Sequence, residues 1–195
     1  LRAYALYVLR LAGKAEAAKA RKLIQEWGGV EKAPLESLGW LLPTLAKDKA
    51  SAGTVSEIHR YLDNHVTQTA AKAHFTTNGY SDQGYLILYS DTRAEGILLE
   101  SLIQTRPSSP IIPKLVRGLL DQRTAGHWGS TQENCWVLLA LDKYFQKFES
   151  ITPDFVARIW LGKNFAGEQK FKGRSKNATA IEVPMPQVEG PLTLS

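Results

Sequence analysis

The 195-residue chain is 44% hydrophobic and 22% charged, enough apolar material for a good-sized core, and no stretch reaches the ~20 apolar residues of a membrane helix. A formal net charge of +5 invites a nucleic-acid partner, yet the basic residues are dispersed. Lys14, Lys19, Arg21 and Lys22 lie near one another early on, and Lys163, Lys170, Lys172, Arg174 and Lys176 lie in the tail. The tail cluster interleaves Phe165 and Phe171, which suits single strands, but a solvated basic edge accounts for the same residues. Cys135 is the single cysteine, so an intrachain disulfide or a cysteine-built metal site is excluded.

Residues 1–12 read as a helix closed by Gly13, and 15–27 as a second with Ala17, Ala20, Leu23, Ile24 and Trp27 on one face. Pro34 opens a third that runs to about Leu45, with Pro43 expected to kink or shorten it. The spacing of Val55, Ile58, Leu62 and Val66 predicts a fourth, from 51 or 54 to about 71. The period then changes. Residues 74–77 and 85–89 are strand-like around a polar turn with Asn78-Gly79 and Ser81-Asp82, which predicts a β-hairpin inserted between helices. Helices return at 92–104, 111–123 and 130–148. After a linker at Ile151-Thr152-Pro153, 155–161 alternates as a half-buried strand, and 169–172, 179–183 and 192–194 are further strand candidates.

Four helical openings are alike. Ala5, Gly39, Gly96 and Cys135 are each followed by an apolar residue at +1, another at +3 and a leucine at +6: Leu6, Val8, Leu11; Trp40, Leu42, Leu45; Ile97, Leu99, Leu102; Trp136, Leu138, Leu141. The hairpin falls in the longest gap between copies. A repeat of this size is one helical hairpin per unit, too small to bury its own face and stacked on its neighbours in an arc or ring. The small leading residue lets neighbouring helices approach closely.

The last opening is the best marked. Ala125, Gly126, His127, Trp128 and Gly129 make a turn, Ser130 is placed as N-cap, and Glu133 sits where a capping box requires it. Val137, Leu138, Leu141, Tyr144, Phe145 and Phe148 follow at helical spacing and predict one buried stripe. On these residues alone the stretch is a well-capped helix closing a helical domain.

A glycine turn followed by Ser130-Thr131-Gln132, an acidic residue and a helix with Ala140-Leu141 resembles the end of the thioester-containing domain of the α2-macroglobulin and complement family. Ala3-Tyr4-Ala5-Leu6-Tyr7-Val8-Leu9 with Leu11-Ala12-Gly13-Lys14, and Ser90-Asp91-Thr92-Arg93-Ala94, are similar to helix openings in bacterial members. The resemblance implies a mainly α fold. Residues 1–149 would be the C-terminal part of an α/α-toroid, a partial ring of helical hairpins with a small β-hairpin insertion. Residues 150–195 would be the first strands of a CUB-like or macroglobulin β domain, an incomplete β-sandwich piece. The family motif would be Gly126, Trp128, Gly129, Ser130, Thr131, Gln132 and Glu133. The resemblance further implies a broad-spectrum peptidase inhibitor that is cleaved in a bait region, changes conformation and cages the protease. Its partners would be target proteases and other domains of the same polypeptide, its location the periplasm, with a possible lipid anchor outside this segment. The segment's part would be structural and not enzymatic, with no cofactor, metal or nucleic acid. Leu1 stands inside an apolar helix with no cap before it, so signals of targeting are expected upstream.

The family's thioester joins a cysteine to a glutamine three residues on. Here Cys135 is followed at +3 by Leu138, and Ala166-Gly167-Glu168-Gln169 has alanine where sulfur is needed. The bond is therefore expected outside these residues, and Cys135 reads as a small buried residue. His59, His65, His74 and His127 have no metal-ligand spacing; His127 reads as a packed or surface residue, and Ser130 has no glycine elbow before it. One rival resemblance remains: Gln122 to Trp128 fits the Q-x-x-x-G-x-W repeat of triterpene cyclases, which also build rings of helical hairpins. The acidic donor of the cyclases, and the zinc set of the related prenyltransferases, are absent.

Overall fold

Where apolar residues recur every three to four positions the chain forms helices, and the glycines and prolines between them mark their ends. The computed structural model describes residues 1–76, 89–174, 180 and 182. Among these the protein is mainly helical, with two small antiparallel strand pairs. The order is α1 (Arg2–Leu11), α2 (Ala17–Glu26), α3 (Leu35–Leu45), α4 (Ala52–His65), β1 (Val66–Gln68), β2 (Ala73–Phe75), α5 (Asp91–Thr105), α6 (Ile111–Asp121), α7 (Thr131–Tyr144), β3 (Asp154–Leu161) and β4 (Asn164–Lys172). The polypeptide divides into two units, Leu1–Lys147 and Phe148–Ser195.

In the first unit α1, α3, α5 and α7 pack side by side in that order, and α2, α4 and α6 back them. The inner row is held close by missing side chains. A Cβ at Gly39 on α3 would stand 2.8 Å from Ile97 Cγ2 on α5. One at Gly96 on α5 would stand 3.0 Å from the carbonyl carbon of Trp136 and the amide nitrogen of Val137 on α7. All of α3 is buried, as is α5 from Arg93 to Ile103. Leu38, Leu41, Leu42, Leu45, Leu98 and Leu99 fill the space between layers, each contributing about 1.5–3 kcal/mol on burial. The repeat holds in α3, α5 and α7. In α1 the buried small residue is Ala3, and Ala5 is exposed, so that copy begins two residues earlier than its apolar pattern indicates.

Several expectations are corrected. α4 stops at His65, because the backbone turns at Val66 into β1, which pairs with β2 in the register Val66 to Phe75 and Gln68 to Ala73. The strand at 74–75 therefore finds its partner before it, in residues read as helix. The expected partner at 85–89, apart from Tyr89, and the turn at 78–82 lie outside the described residues, as do the candidates at 192–194 and most of 179–183. α3 runs through Pro43 to Leu45. The stripe read on α7 is only partly buried: Trp136, Val137 and Ala140 face the core, Leu141 and Tyr144 pack at its edge, and Leu138, Phe145 and Phe148 are exposed. The helix changes to a π turn at Phe145–Glu149, which rotates later residues off the stripe. Cys135 is exposed, not buried, on the side of α7 opposite Val137.

In the second unit β3 and β4 form an antiparallel hairpin. Phe155 stacks on Phe171 at 5.1 Å, Trp160 meets Phe165 edge-on at 5.2 Å, and Arg158 pairs with Glu168 at 3.1 Å.

Gly96→Ala is expected to lower the unfolding free energy by about 1–3 kcal/mol, the usual cost of overpacking a filled interface. Gly53→Ala, where an added methyl meets nothing within 4 Å, should cost nothing. Urea titration followed by tryptophan fluorescence compares the two, and equal midpoints would contradict the close approach.

Candidate functional site

The inner row curls until its first and last members meet across its inner side. Tyr4 and Tyr7 of α1 lie 6.2 and 5.7 Å from Trp136 of α7, and Trp40 of α3 lies 5.3 Å from Tyr4 and 5.7 Å from Trp136, centroid to centroid. These four rings wall a cavity of about 810 Å³. Cys135, the small residue of α7, lines it too, and five of the other lining residues recur by repeat position. Glu36, Arg93 and Gln132 stand three residues before the small residue of their helices; Glu100 and Leu139 stand four after it. One helical face of each inner helix thus points into one space.

That space holds buried charge. Arg93 lies 3.5 Å from Glu36 and its guanidinium is 5.7 Å from the Trp40 ring. Glu100, 3% exposed, accepts from the Tyr7 hydroxyl at 3.2 Å and from Gln104 Nε2 at 3.0 Å, with Lys143 Nζ 3.9 Å away. Burial, then the charge of Glu100, pushes the Tyr7 phenol up to about 12. A cleft with aromatic walls and a few convergent, paired charges is the usual form of a binding site for an apolar or amphipathic group.

The turn before α7 is built from the residues the sequence marks. Ala125 and Gly126 take φ of +54° and +89°, and Thr124 and His127 exchange backbone hydrogen bonds. Ser130 Oγ accepts from the Glu133 N–H at 3.2 Å while Glu133 Oε2 accepts from the Ser130 N–H at 2.9 Å, the full capping box. Gly129 leaves room for that carboxylate, since a Cβ would stand 3.0 Å from it. Trp128 is buried and its indole N–H donates to Leu119 O at 2.8 Å. Thr131 is exposed, and Gln132 is the one residue of the motif that reaches the cavity. Asn134 was not singled out, yet it clamps the turn: its Nδ2 donates to Trp128 O and Ser130 O, and its Oδ1 accepts from the Trp128 N–H. An asparagine in a first helical turn is a poor helix former with a reason to be there, and that was the available signal.

Gln122, the first residue of the cyclase-like run, is structural. Its Nε2 donates to Glu95 Oε2 at 2.9 Å and lies 3.2 Å from His74 Nδ1, and Thr92 Oγ1 donates to its Oε1 at 2.5 Å. Glu95, 1% exposed, also accepts from the Phe75 N–H at 2.8 Å and lies 3.3 Å from His74 Nδ1. Gly118 on α6 admits β2, for a Cβ there would stand 2.5 Å from Ala73 O. This network therefore moors the β1–β2 hairpin on α5 and α6. Of the other histidines, His59 Nε2 lies 3.2 Å from Thr105 Oγ1, His65 Nδ1 lies 2.8 Å from Tyr61 O, and His127 Nδ1 lies 3.0 Å from Trp128 O.

No known family profile matches the sequence, and no solved structure matches it. Curated proteins do. The protein is 33% identical over 51% of its length to an Alpha-2-macroglobulin homolog of Nostoc sp., and 32% identical over 77% of its length to a Dictyostelium discoideum protein named Circularly permutated Ras protein 2. It spans 5% and 4% of the length of these two proteins.

The apolar positions of the repeat alone do not mark the cavity-facing residues. The offsets −3, +1 and +4 from the small residue carry the aromatic and charged groups, and reading them down α3, α5 and α7 marks the face.

Burial pushes the Glu95 carboxyl above its usual range, against the bonds from Phe75, Gln122 and His74 that lower it. A raised folded value means that the stability Glu95 contributes is complete below the unfolded value near 4.5 and is lost as pH rises through the folded value. Glu95→Gln should flatten that decline in urea titrations run from acid to neutral pH; identical slopes for both proteins would sink this account. Ser130→Ala should cost about 0.5–2 kcal/mol, the worth of an N-cap, read from the same titrations.

Proposed function

We propose that this protein is a structural segment of an α2-macroglobulin-like peptidase inhibitor, contributing part of an α/α-toroid and the beginning of the β domain that follows it. The observation that carries this reading is the 33% identity to the Alpha-2-macroglobulin homolog of Nostoc sp. over half the sequence. The row of inner helices backed by outer ones, followed by a unit with an antiparallel hairpin, supports it. In this reading the toroid's work is mechanical. Glycine-packed helices and a buried polar network make a rigid body that can be displaced as a whole when a bait region is cut, and proteases are met by the whole protein. A periplasmic location, with any lipid anchor outside these residues, follows from the same family. Among the described residues no helix is long and apolar enough to cross a membrane.

The name of the Dictyostelium protein includes Ras. The sequence holds no G-x-x-x-x-G-K-[ST] phosphate loop and spans 4% of that protein's length, so we propose no nucleotide-binding role for it.

The test uses the full-length parent protein. Intact mass is measured with and without methylamine, and a protease-protection assay is run alongside. A methylamine adduct with a newly titratable thiol, and protease that is caged after cutting the protein, are the expected results for a covalent member. Caging without an adduct would mark a member without the thioester. Protease left free to attack large substrates would overturn the proposal.

A further inference from the structure

The cavity plays no part in the mechanical role proposed above, and its wall is layered along the helix axes. Arg93 and Glu100 both line it and lie seven residues apart on α5, a rise of about 10 Å. Arg93, with Glu36 beside it, marks one polar layer; Glu100, with Tyr7 and Lys143, marks the other. Between these layers stand Trp40 and Trp136, each one residue past the small residue of its helix, with ring centroids 5.7 Å apart. Such rings hold a further aromatic ring by more than the area it buries.

The polar groups of the wall differ in what they leave unspent. Glu36 faces Arg93 at 3.5 Å, and Glu100 already accepts from the Tyr7 hydroxyl and from Gln104 Nε2. Both acids therefore have donors. Two donors of the wall are not fully used. Lys143 Nζ stands 3.9 Å from Glu100, near enough for charge but outside hydrogen-bond length, and its side chain is 40% exposed. The indole N–H of Trp40, in a residue only 5% exposed, has no acceptor among the described residues. A buried donor left without an acceptor is costly. A wall with donors to spare and acids already bonded favours an occupant that brings acceptors.

We propose that the cavity binds a small aromatic carboxylic acid, its rings against Trp40 and Trp136 and its carboxylate on Lys143. This site is independent of the inhibitor reading. A two-ring acid matches the distance between the polar layers, whereas a long-chain fatty acid outruns it. An aromatic amine of the same size would have to displace Arg93 or Lys143 from acids that they neutralise, so charge selects the acid.

Isothermal titration of the full-length parent protein with naphthoate tests this, beside naphthylmethylamine as the cationic analogue and palmitate as the acyl one. Naphthoate should bind one to one, and the amine and palmitate about tenfold more weakly or less. Lys143→Met should weaken naphthoate binding about tenfold, the worth of a charge-assisted hydrogen bond, with an unchanged far-ultraviolet circular dichroism spectrum. Lys143→Arg should restore most of the affinity, and Lys22→Met, on α2, should leave it as it was. Bound naphthoate should also slow alkylation of Cys135, a lining residue, followed by peptide mass mapping. Absence of naphthoate binding at millimolar concentration would overturn the proposal. So would an amine or a fatty acid that binds as tightly, an affinity undiminished by Lys143→Met, or a Cys135 that naphthoate does not protect.

Discussion

The structure depends on how closely α3, α5 and α7 approach one another. That approach is possible only because Gly39 and Gly96 have no side chain at the contact. Within a helix, glycine costs up to about 1 kcal/mol relative to alanine, so the two positions are explained by what they admit. Bringing the axes together lets Leu42, Leu98 and Leu99 be wholly buried and sets the aromatic residue at +1 of α3 and α7 on a common inner side. A wider row would separate Trp40 from Trp136 and lose both the ring contacts and the cavity they wall. The outer helices serve this geometry. Arg21 of α2, for instance, is paired with Asp48 and Ser51 at the turn into α4, which ties two outer elements beside α3.

The cost of the arrangement is polar. Glu36, Arg93 and Glu100 lie inside the unit, and a buried charge must be paired and hydrogen-bonded to be tolerated. Glu100 meets that demand with Tyr7, Gln104 and Lys143, drawn from α1, α5 and α7. Glu36 and Arg93 join α3 to α5. On the outer side Glu95 does the same for β2 and α6. Each buried acid therefore ties different elements together. Apolar packing alone tolerates sliding of one helix along another, whereas a paired carboxylate fixes the register. We read these networks as the reason that one arrangement of the row is selected.

Much of this was legible in the sequence, and the errors have physical causes. The helices and the Ser130 cap followed from apolar period and from residues with strong local preferences. The end of α4 did not, because Val66 suits either a helix face or a strand, and pairing with Phe75, a tertiary contact, decides it. The copy in α1 was set two residues late because leucine and valine satisfy an apolar template on several faces. Only the burial of Ala3 and the exposure of Ala5 show which face meets α3. Cys135 was assigned to the core by residue type, yet its place on α7 sets it at the cavity wall, where it is exposed. The cavity was invisible for a different reason: its residues come from four helices, and no local window contains more than one rung.

The hairpin of β3 and β4 shows how far local pattern can be trusted. Alternation in 155–161 predicted a strand with one buried face, and the strand is there, but Phe155 and Ile159 on one face and Val156 and Trp160 on the other are all exposed. Two strands alone are marginal in water. What stabilises these two within the unit is cross-strand pairing on both faces: the Phe155–Phe171 stack, the Trp160–Phe165 edge contact and the Arg158–Glu168 ion pair. A strand whose two faces are both apolar has the composition of one meant for the interior of a larger sheet assembly. In the helical unit Val8 on α1 and Leu138 on α7 are likewise apolar and exposed. In both units the residues left uncovered belong to the pattern that is buried elsewhere.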